Sequence, residues 1–287
     1  MFLKTVEYAR PDSVEEALGI LGANDGAAPL AGGQSLVNVL KHRVASVELL
    51  VDISALEELR TISRGAGGGL EVGACVTYDE LDHSEDVRSS HRVLAEVASH
   101  IEDQQIRNRG TIGGNCCLSD PTNNLPPLLV ALDAQMHVAS AERKRVVPAE
   151  EFFKGYFFTA LEPGELLTRI SVPGLPPGTG AGYSSLNVAA DAKTIVRAAA
   201  RVTVGASIVE ARVVLARITA VPLRYTALEE ALRGVPATEG AVRAAAQSIT
   251  DSFEAATDTH ASSKYRQLMA RVVAQRAVLE AISEATR

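Results

Sequence analysis

The sequence predicts an α+β fold in three units, residues 1–55, 56–175 and 176–287. Three observations carry that expectation. Helix starts marked by Ser/Thr-x-x-Glu boxes are mixed with short strand-like runs, and no doubly wound parallel sheet is indicated. A proline- and glycine-rich stretch, PGLPPGTGAG at 173–182, breaks the chain where neither helix nor sheet continues. Beyond it, TIVRAAARVTV and VEARVVLARIT are strand-like runs separated by GASI, the pattern of an antiparallel hairpin. At 287 residues the chain also exceeds the usual size of one hydrophobic core, so subdivision is expected.

In chain order, Ser13-x-x-Glu16 opens a first helix with Val14, Ala17, Leu18 and Leu21 on one face. A short strand leads into Ala31, and the apolar run VELLVDIS (47–54) reads as a buried strand. ISRGAGGGLEVGACVT suggests a glycine-broken hairpin, and Thr77-x-x-Glu80 is a second capping box. Val93, Leu94, Val97 and Ile101 recur at helical spacing. LPPLLVALDA reads as a buried helix, QMHVAS as a strand, and ELLTRISVP as the last strand before the break. Past the hairpin, Thr226-x-x-Glu229 is a third capping box, and Gly234 takes the position just after the helix. TEGAVRAAAQSIT and the segment from Ser263 to about Glu284 are further helices, so a small antiparallel sheet packed on helices closes the chain.

Composition excludes several classes. A net charge of −7 argues against nucleic acid or an anionic membrane as partner. No apolar run approaches the roughly 20 residues that span a bilayer. The start has no signal-peptide character, so a cytoplasmic protein is expected. Three cysteines, Cys75, Cys116 and the adjacent Cys117, are too few for the four thiolates of an iron–sulfur cluster. They read as small buried residues or, alternatively, as a redox thiol. None of the six histidines stands at metal-ligand spacing, and no catalytic acid, base or nucleophile is assigned.

Two glycine-rich segments carry the functional reading: Ala31-Gly-Gly-Gln-Ser35 and Thr111-Ile-Gly-Gly-Asn115. Glycine admits close backbone approach, and consecutive N–H groups in such a turn form a concave nest for an anion. Two nests converging on one ligand suit a diphosphate, and hence a dinucleotide. Neither segment is a G-x-G-x-x-G or P-loop fingerprint. The hydroxyls of Ser35 and Thr111 serve either as helix caps or as ligand donors, and the two roles do not exclude each other. Asn115 caps the turn or reaches phosphate.

With their flanks, PLAGGQSLVNVLKHRVASVELLVDIS and IRNRGTIGGNCCLSDPTNNLPPLLVALDA, these segments resemble the FAD-binding medium subunit of molybdenum hydroxylases. YARPDSVEEALGIL, LEVGACVTYDEL, GELLTRISVP and SSKYRQLMARVVAQRAV extend the resemblance over nearly the whole chain. It implies a two-part FAD-binding domain of the vanillyl-alcohol-oxidase/PCMH type before the antiparallel sheet and helices. It further implies FAD on this chain, a large partner with a molybdopterin cytosine dinucleotide-type cofactor, and a small partner with two [2Fe–2S] clusters. The assembly implied is a dimer of heterotrimers that passes electrons through FAD to an external acceptor. A self-contained FAD-dependent oxidase of the same flavin fold is the alternative.

The resemblance assigns the cofactor to Ala31, Gly32, Gly33, Gln34, Ser35 and Leu36 on one side. Ile106, Thr111, Gly113, Gly114, Asn115 and Cys117 serve the other. In LSDPTNNLP an acid is expected to hold a sugar hydroxyl, and Asp120 and Asn124 both remain candidates; an Asx-turn at Asp120 is the plainer reading. Relatives often carry basic residues after the break, where this chain has Ser185, Asn187, Val188, Ala189 and Ala190. Tyr183 and Lys193 are candidates for ring contacts or ordinary sheet surface. Arg107 and Arg109 are open between a binding role and solvation.

Overall fold

The computed structural model describes residues 3–188, 194–249, 253 and 255–287. Strand β1 (Glu7–Ala9), helix α1 (Val14–Ala23), β2 (Ala27–Leu30), α2 (Leu36–Lys41) and β3 (Leu49–Asp52) form the first layer. Its sheet is parallel, in the order β1-β3-β2. Ser13 caps α1 by accepting from the Glu16 N–H at 3.1 Å. The return half of that box is displaced by one residue, because the Glu16 carboxylate accepts from the Asp12 N–H instead. Ala17, Leu18 and Leu21 are buried, as the spacing predicts.

A second, five-stranded antiparallel sheet has the order β4-β5-β10-β6-β7. Its strands are β4 (Ile62–Arg64), β5 (Leu70–Gly73), β6 (Gln135–Ala139), β7 (Lys144–Pro148) and β10 (Leu166–Val172). Between β5 and β6 run α3 (Tyr78–His83), α4 (Glu85–Ser90), α5 (Arg92–Ser99), α6 (Gln104–Arg107), α7 (Ile112–Leu118) and α8 (Leu125–Ala131). Thr77 makes both halves of its capping box with Glu80. Helix α5 ends at Ser99, so Ile101 is buried in the following turn rather than on the helix. All seven residues of α8 are buried. After β7 come α9 (Ala149–Phe152) and a small hairpin of β8 (Phe153–Gly155) and β9 (Phe158–Thr159).

The third sheet is antiparallel and ordered β11-β12-β13-β14: β11 (Thr179–Asn187), β12 (Thr194–Val204), β13 (Ile208–Ala216) and β14 (Leu223–Arg224). Helices α10 (Thr226–Leu232), α11 (Glu239–Ala245) and α12 (Ser263–Ala285) complete the chain. The expected break at 173–182 is shorter than its composition suggests, because β11 starts at Thr179. Gly180 and Gly182 are not linker residues. A Cβ on either would lie 2.2 Å from a main-chain oxygen of α12, that of Ala281 or Ala277 respectively, so glycine lets the helix backbone lie directly on the strand. The helix also closes this edge strand chemically: Glu284 and Glu280 accept from the N–H groups of Ala181 and Tyr183.

One further correction concerns the third capping box. Tyr225, not Thr226, is the residue before α10, and no side chain caps it. Glu229 turns inward, accepting from the Val213 N–H and pairing with Arg224. A buried strand N–H and a guanidinium outcompete a cap on an exposed hydroxyl. Gly234 does take a positive φ of 79° just after the helix, as its position predicts. Among the described residues no helix is long and apolar enough to cross a membrane.

Candidate functional site

The two glycine segments meet. A Cβ on Gly32 would lie 1.9 Å from the Arg109 carbonyl oxygen and 3.0 Å from the Gly110 Cα, so here the two main chains touch. Gly33 adopts φ 73°, which turns the chain from β2 into α2. Among the described residues, no protein acceptor takes the backbone N–H groups of Gly32, Gly33, Gln34, Ser35 or Leu36. Gln34 folds back onto the Gly32 carbonyl. Ser35 precedes α2 but makes no side-chain cap, leaving its exposed hydroxyl available to a ligand. Ala31 and Leu36 flank this turn, both half-buried.

The second segment is organised differently. Thr111 caps α7, its Oγ1 accepting from the Gly114 N–H at 3.0 Å. The N–H groups of Ile112, Gly113 and Asn115 go to Val76, Ala74 and Thr111 carbonyls. An open nest over 112–115 is therefore not what the structure holds. Gly113 is a packing glycine, since a Cβ there would lie 2.5 Å from the Ala74 oxygen. Gly114 is exposed and leaves room for close approach. Nor does Asn115 reach outward or cap. It is buried, and its Nδ2 donates to the Tyr78 hydroxyl at 3.0 Å while its Oδ1 has no partner among the described residues. Burial raises the Tyr78 pKa, so the hydroxyl stays protonated.

Further along, Asn123 Nδ2 donates to the Asn115 carbonyl, tying α7 to the loop before α8. Asp120 builds the expected Asx-turn, its Oδ1 accepting from the Thr122 N–H and hydroxyl. This loop faces the third sheet across a narrow crevice lined by Asp120, Asn123, Pro126, Ala216, Arg217 and Val221. Tyr183 spans from β11 to the Asn124 carbonyl at 3.1 Å. Its pKa is raised by burial, an effect partly offset by the nearby Arg197 guanidinium. Ile106 is half-buried on α6, and its carbonyl accepts from the Gly110 N–H that precedes the second segment. Lys193 lies outside the described residues.

Arg107 is structural, holding the Ile101 and Glu102 carbonyls and the Gln104 side chain. Of the cysteines, Cys75 and Cys116 are buried and Cys117 is half-buried on α7. Burial pushes the thiols of Cys75 and Cys117 up to about 12 and that of Cys116 well above its usual value, which favours inert packing over redox chemistry. Two features escaped the sequence reading. Tyr78 orients Asn115, and its position just inside a capping box gave no sign of that. Arg197 is buried on β12, inside what reads as a plain apolar strand.

The pattern of the FAD binding domain in molybdopterin dehydrogenase matches residues 4–175, and that of the CO dehydrogenase flavoprotein C-terminal domain matches residues 181–281. The chain is 36% identical to the carbon monoxide dehydrogenase medium chain of Afipia carboxidovorans, over 97% of both chains. It is 33% identical to the 6-hydroxypseudooxynicotine dehydrogenase complex subunit alpha of Paenarthrobacter nicotinovorans, over 97% of this chain and 95% of that one. Among solved structures, a carbon monoxide dehydrogenase chain from Hydrogenophaga pseudoflava superposes with a TM-score of 0.93 at 36% identity, covering 99% of both. A quinoline 2-oxidoreductase chain from Pseudomonas putida gives 0.94 at 32% identity, covering 100% of both. Touching glycine turns, a paired antiparallel sheet and matches along nearly the full length agree: this chain belongs to the FAD-binding flavoprotein family of the molybdopterin dehydrogenases.

Proposed function

We propose that this chain is the FAD-carrying electron-transfer subunit of a cytoplasmic, heteromeric molybdenum hydroxylase. In this reading a large partner bearing a molybdopterin cytosine dinucleotide-type cofactor binds and hydroxylates the substrate. A small partner with two [2Fe–2S] clusters relays the electrons, and the three chains pair as a dimer of heterotrimers. Relatives named for carbon monoxide, caffeine and nicotine support a substrate chosen by another subunit, since chains so alike serve such different molecules.

The observation that carries the reading is the row of five N–H groups, Gly32 to Leu36, without acceptors among the described residues where the two glycine segments touch. Such a row suits the diphosphate of FAD, whose charges need donors once they leave water. The halves 1–55 and 56–175 would thus close on the cofactor from two sides. The Ser35 hydroxyl adds a donor, and exposed Gly114 keeps side chains out of the way. Asp120 retains a second carboxylate oxygen for a sugar hydroxyl, which favours it over Asn124. Tyr183, fixed through its hydroxyl to the Asn124 carbonyl, would border the ring end. When bound, FAD supplies the exchange between one-electron and two-electron chemistry. No side chain of this protein needs to act as acid or base.

The test is an absorption spectrum of the purified chain, followed by heat release and mass identification of the cofactor. Flavin bands with FAD in the supernatant are expected. A colourless chain that also fails to take up added FAD would overturn the proposal.

A further inference from the structure

Arg197, on β12, is only 5% exposed. Its Nη2 donates to the Thr194 hydroxyl and the guanidinium lies beside the Tyr183 hydroxyl, while among the described residues Nε and Nη1 have no partner. Among the described residues no carboxylate pairs with it, which sets it apart from the other arginines of this region. Arg201 and Arg212 pair with Asp133, Arg217 and the fully buried Arg266 with Asp258. Removing an unpaired charge from water costs several kcal/mol, and a guanidinium left with two idle N–H positions adds to that. The polar groups beside it, the Thr194 and Tyr183 hydroxyls, are neutral and leave that charge uncompensated.

The register shows what the guanidinium faces. Across the ladder Arg197 is opposite Ser185 of β11 and Ala216 of β13, and directly opposed residues share one face of a sheet. Two positions along, Ala199, Tyr183 and Val214 belong to that same face and pack in the core with α8. Ala216 lines the crevice between the third sheet and the loop carrying Asp120 and Asn123. That loop is tied through Asn123 to the Asn115 carbonyl on α7, the helix capped by Thr111 at the glycine contact. A seven-residue helix is about 10 Å long, so a ligand anchored at the glycines has only a short path to the crevice.

We infer that Arg197 is a cofactor-contacting residue whose idle N–H groups meet an oxygen-bearing edge of the flavin ring. The inference rests on the FAD reading above, and the cation it assigns to the site comes from β12 itself. Electrons added to the ring place negative charge on that edge, and a fixed guanidinium there favours the reduced form.

The test compares the full wild-type chain with Arg197→Gln and Arg197→Lys. FAD is titrated by flavin fluorescence, the midpoint potential is read by dye equilibration, and the cofactor-free chains are melted. Arg197→Gln should bind FAD about tenfold more weakly or worse, as expected for one charge-assisted hydrogen bond lost. Its potential should fall, and its cofactor-free form should melt no lower than wild type because an unpaired buried charge is gone. Arg197→Lys should recover part of the potential. Unchanged affinity and potential in Arg197→Gln would overturn the inference while leaving FAD binding by the chain intact. Equal loss of cofactor-free stability in both variants, with the potential unmoved, marks a structural role and overturns it too. A wild-type chain that takes up no FAD overturns both this inference and the function it rests on.

Discussion

Replacing Gly32 by alanine tests whether the contact of the two glycine segments builds the cofactor site. The new Cβ would sit 1.9 Å from the Arg109 oxygen and 2.7 Å from its carbonyl carbon. A relaxed carbon–oxygen contact is about 3.3 Å, so the segments must part by roughly 1.4 Å. Both sides of the clash are main chain, so no rotamer change relieves it. The opposing segment is also pinned, since the Gly110 carbonyl accepts from the Tyr78 N–H and the Gly110 N–H donates to Ile106. Overpacking of this kind costs about 1–3 kcal/mol of stability. Moving the donor row relative to the second segment loses at least one hydrogen bond to a charged ligand, about 1.5–3 kcal/mol. FAD affinity should therefore fall roughly 10- to 100-fold, measured by titrating the cofactor-free chain and following flavin fluorescence. Gly22→Ala is the control: its Cβ meets nothing within 4 Å on helix α1, so it should raise stability slightly and leave FAD binding unchanged. A Gly32→Ala chain that holds FAD as tightly as wild type would refute the reasoning.

Three other outcomes follow from the same geometry. His91 is fully buried, with Nε2 on the Pro173 carbonyl and Nδ1 without a partner, and burial holds its pKa below the ordinary 6.5. The unfolded chain takes up this proton as pH falls through that value and the folded chain does not, so stability is present above it and lost below. His91→Gln, which can still donate to Pro173, should flatten the fall of Tm between about pH 7 and pH 5; an unaltered slope would exclude His91 as its source. Gly182→Ala would push a Cβ to 2.2 Å from the Ala277 oxygen and 2.6 Å from the Ala281 N, lifting α12 off the edge strand. Calorimetry should show Tm lowered by about 2–12 °C, from a cost of about 1–3 kcal/mol at about 2–4 °C per kcal/mol. The thiols of Cys75 and Cys116, both buried and with pKa values pushed up to about 12 and higher respectively, should not react with a disulfide reagent near pH 8 until the chain unfolds. Rapid modification of either in the folded chain would contradict that.

Sequence by itself determined what depends on neighbours a few residues away. A hydroxyl three residues before a glutamate makes the cap at Thr77, and Gly234 ends α10, because those hydrogen bonds and dihedrals close within one helical turn. The runs that became β5, β10, β12 and β13 were legible for the same reason, and the two glycine segments stood out through their composition and flanks. Tertiary structure decided everything that depends on which distant segments meet. It gave the Gly113 N–H to Ala74 and left the Gly32–Leu36 row without acceptors, although both stretches read alike as glycine pairs. It drew Glu229 away from Thr226 toward Val213 and Arg224, and made Gly180 and Gly182 contact surfaces for α12 instead of linker. It also buried Arg197 with no carboxylate partner among the described residues. A residue type states what a side chain can donate or accept; only the packed chain fixes whether a partner is there to take it.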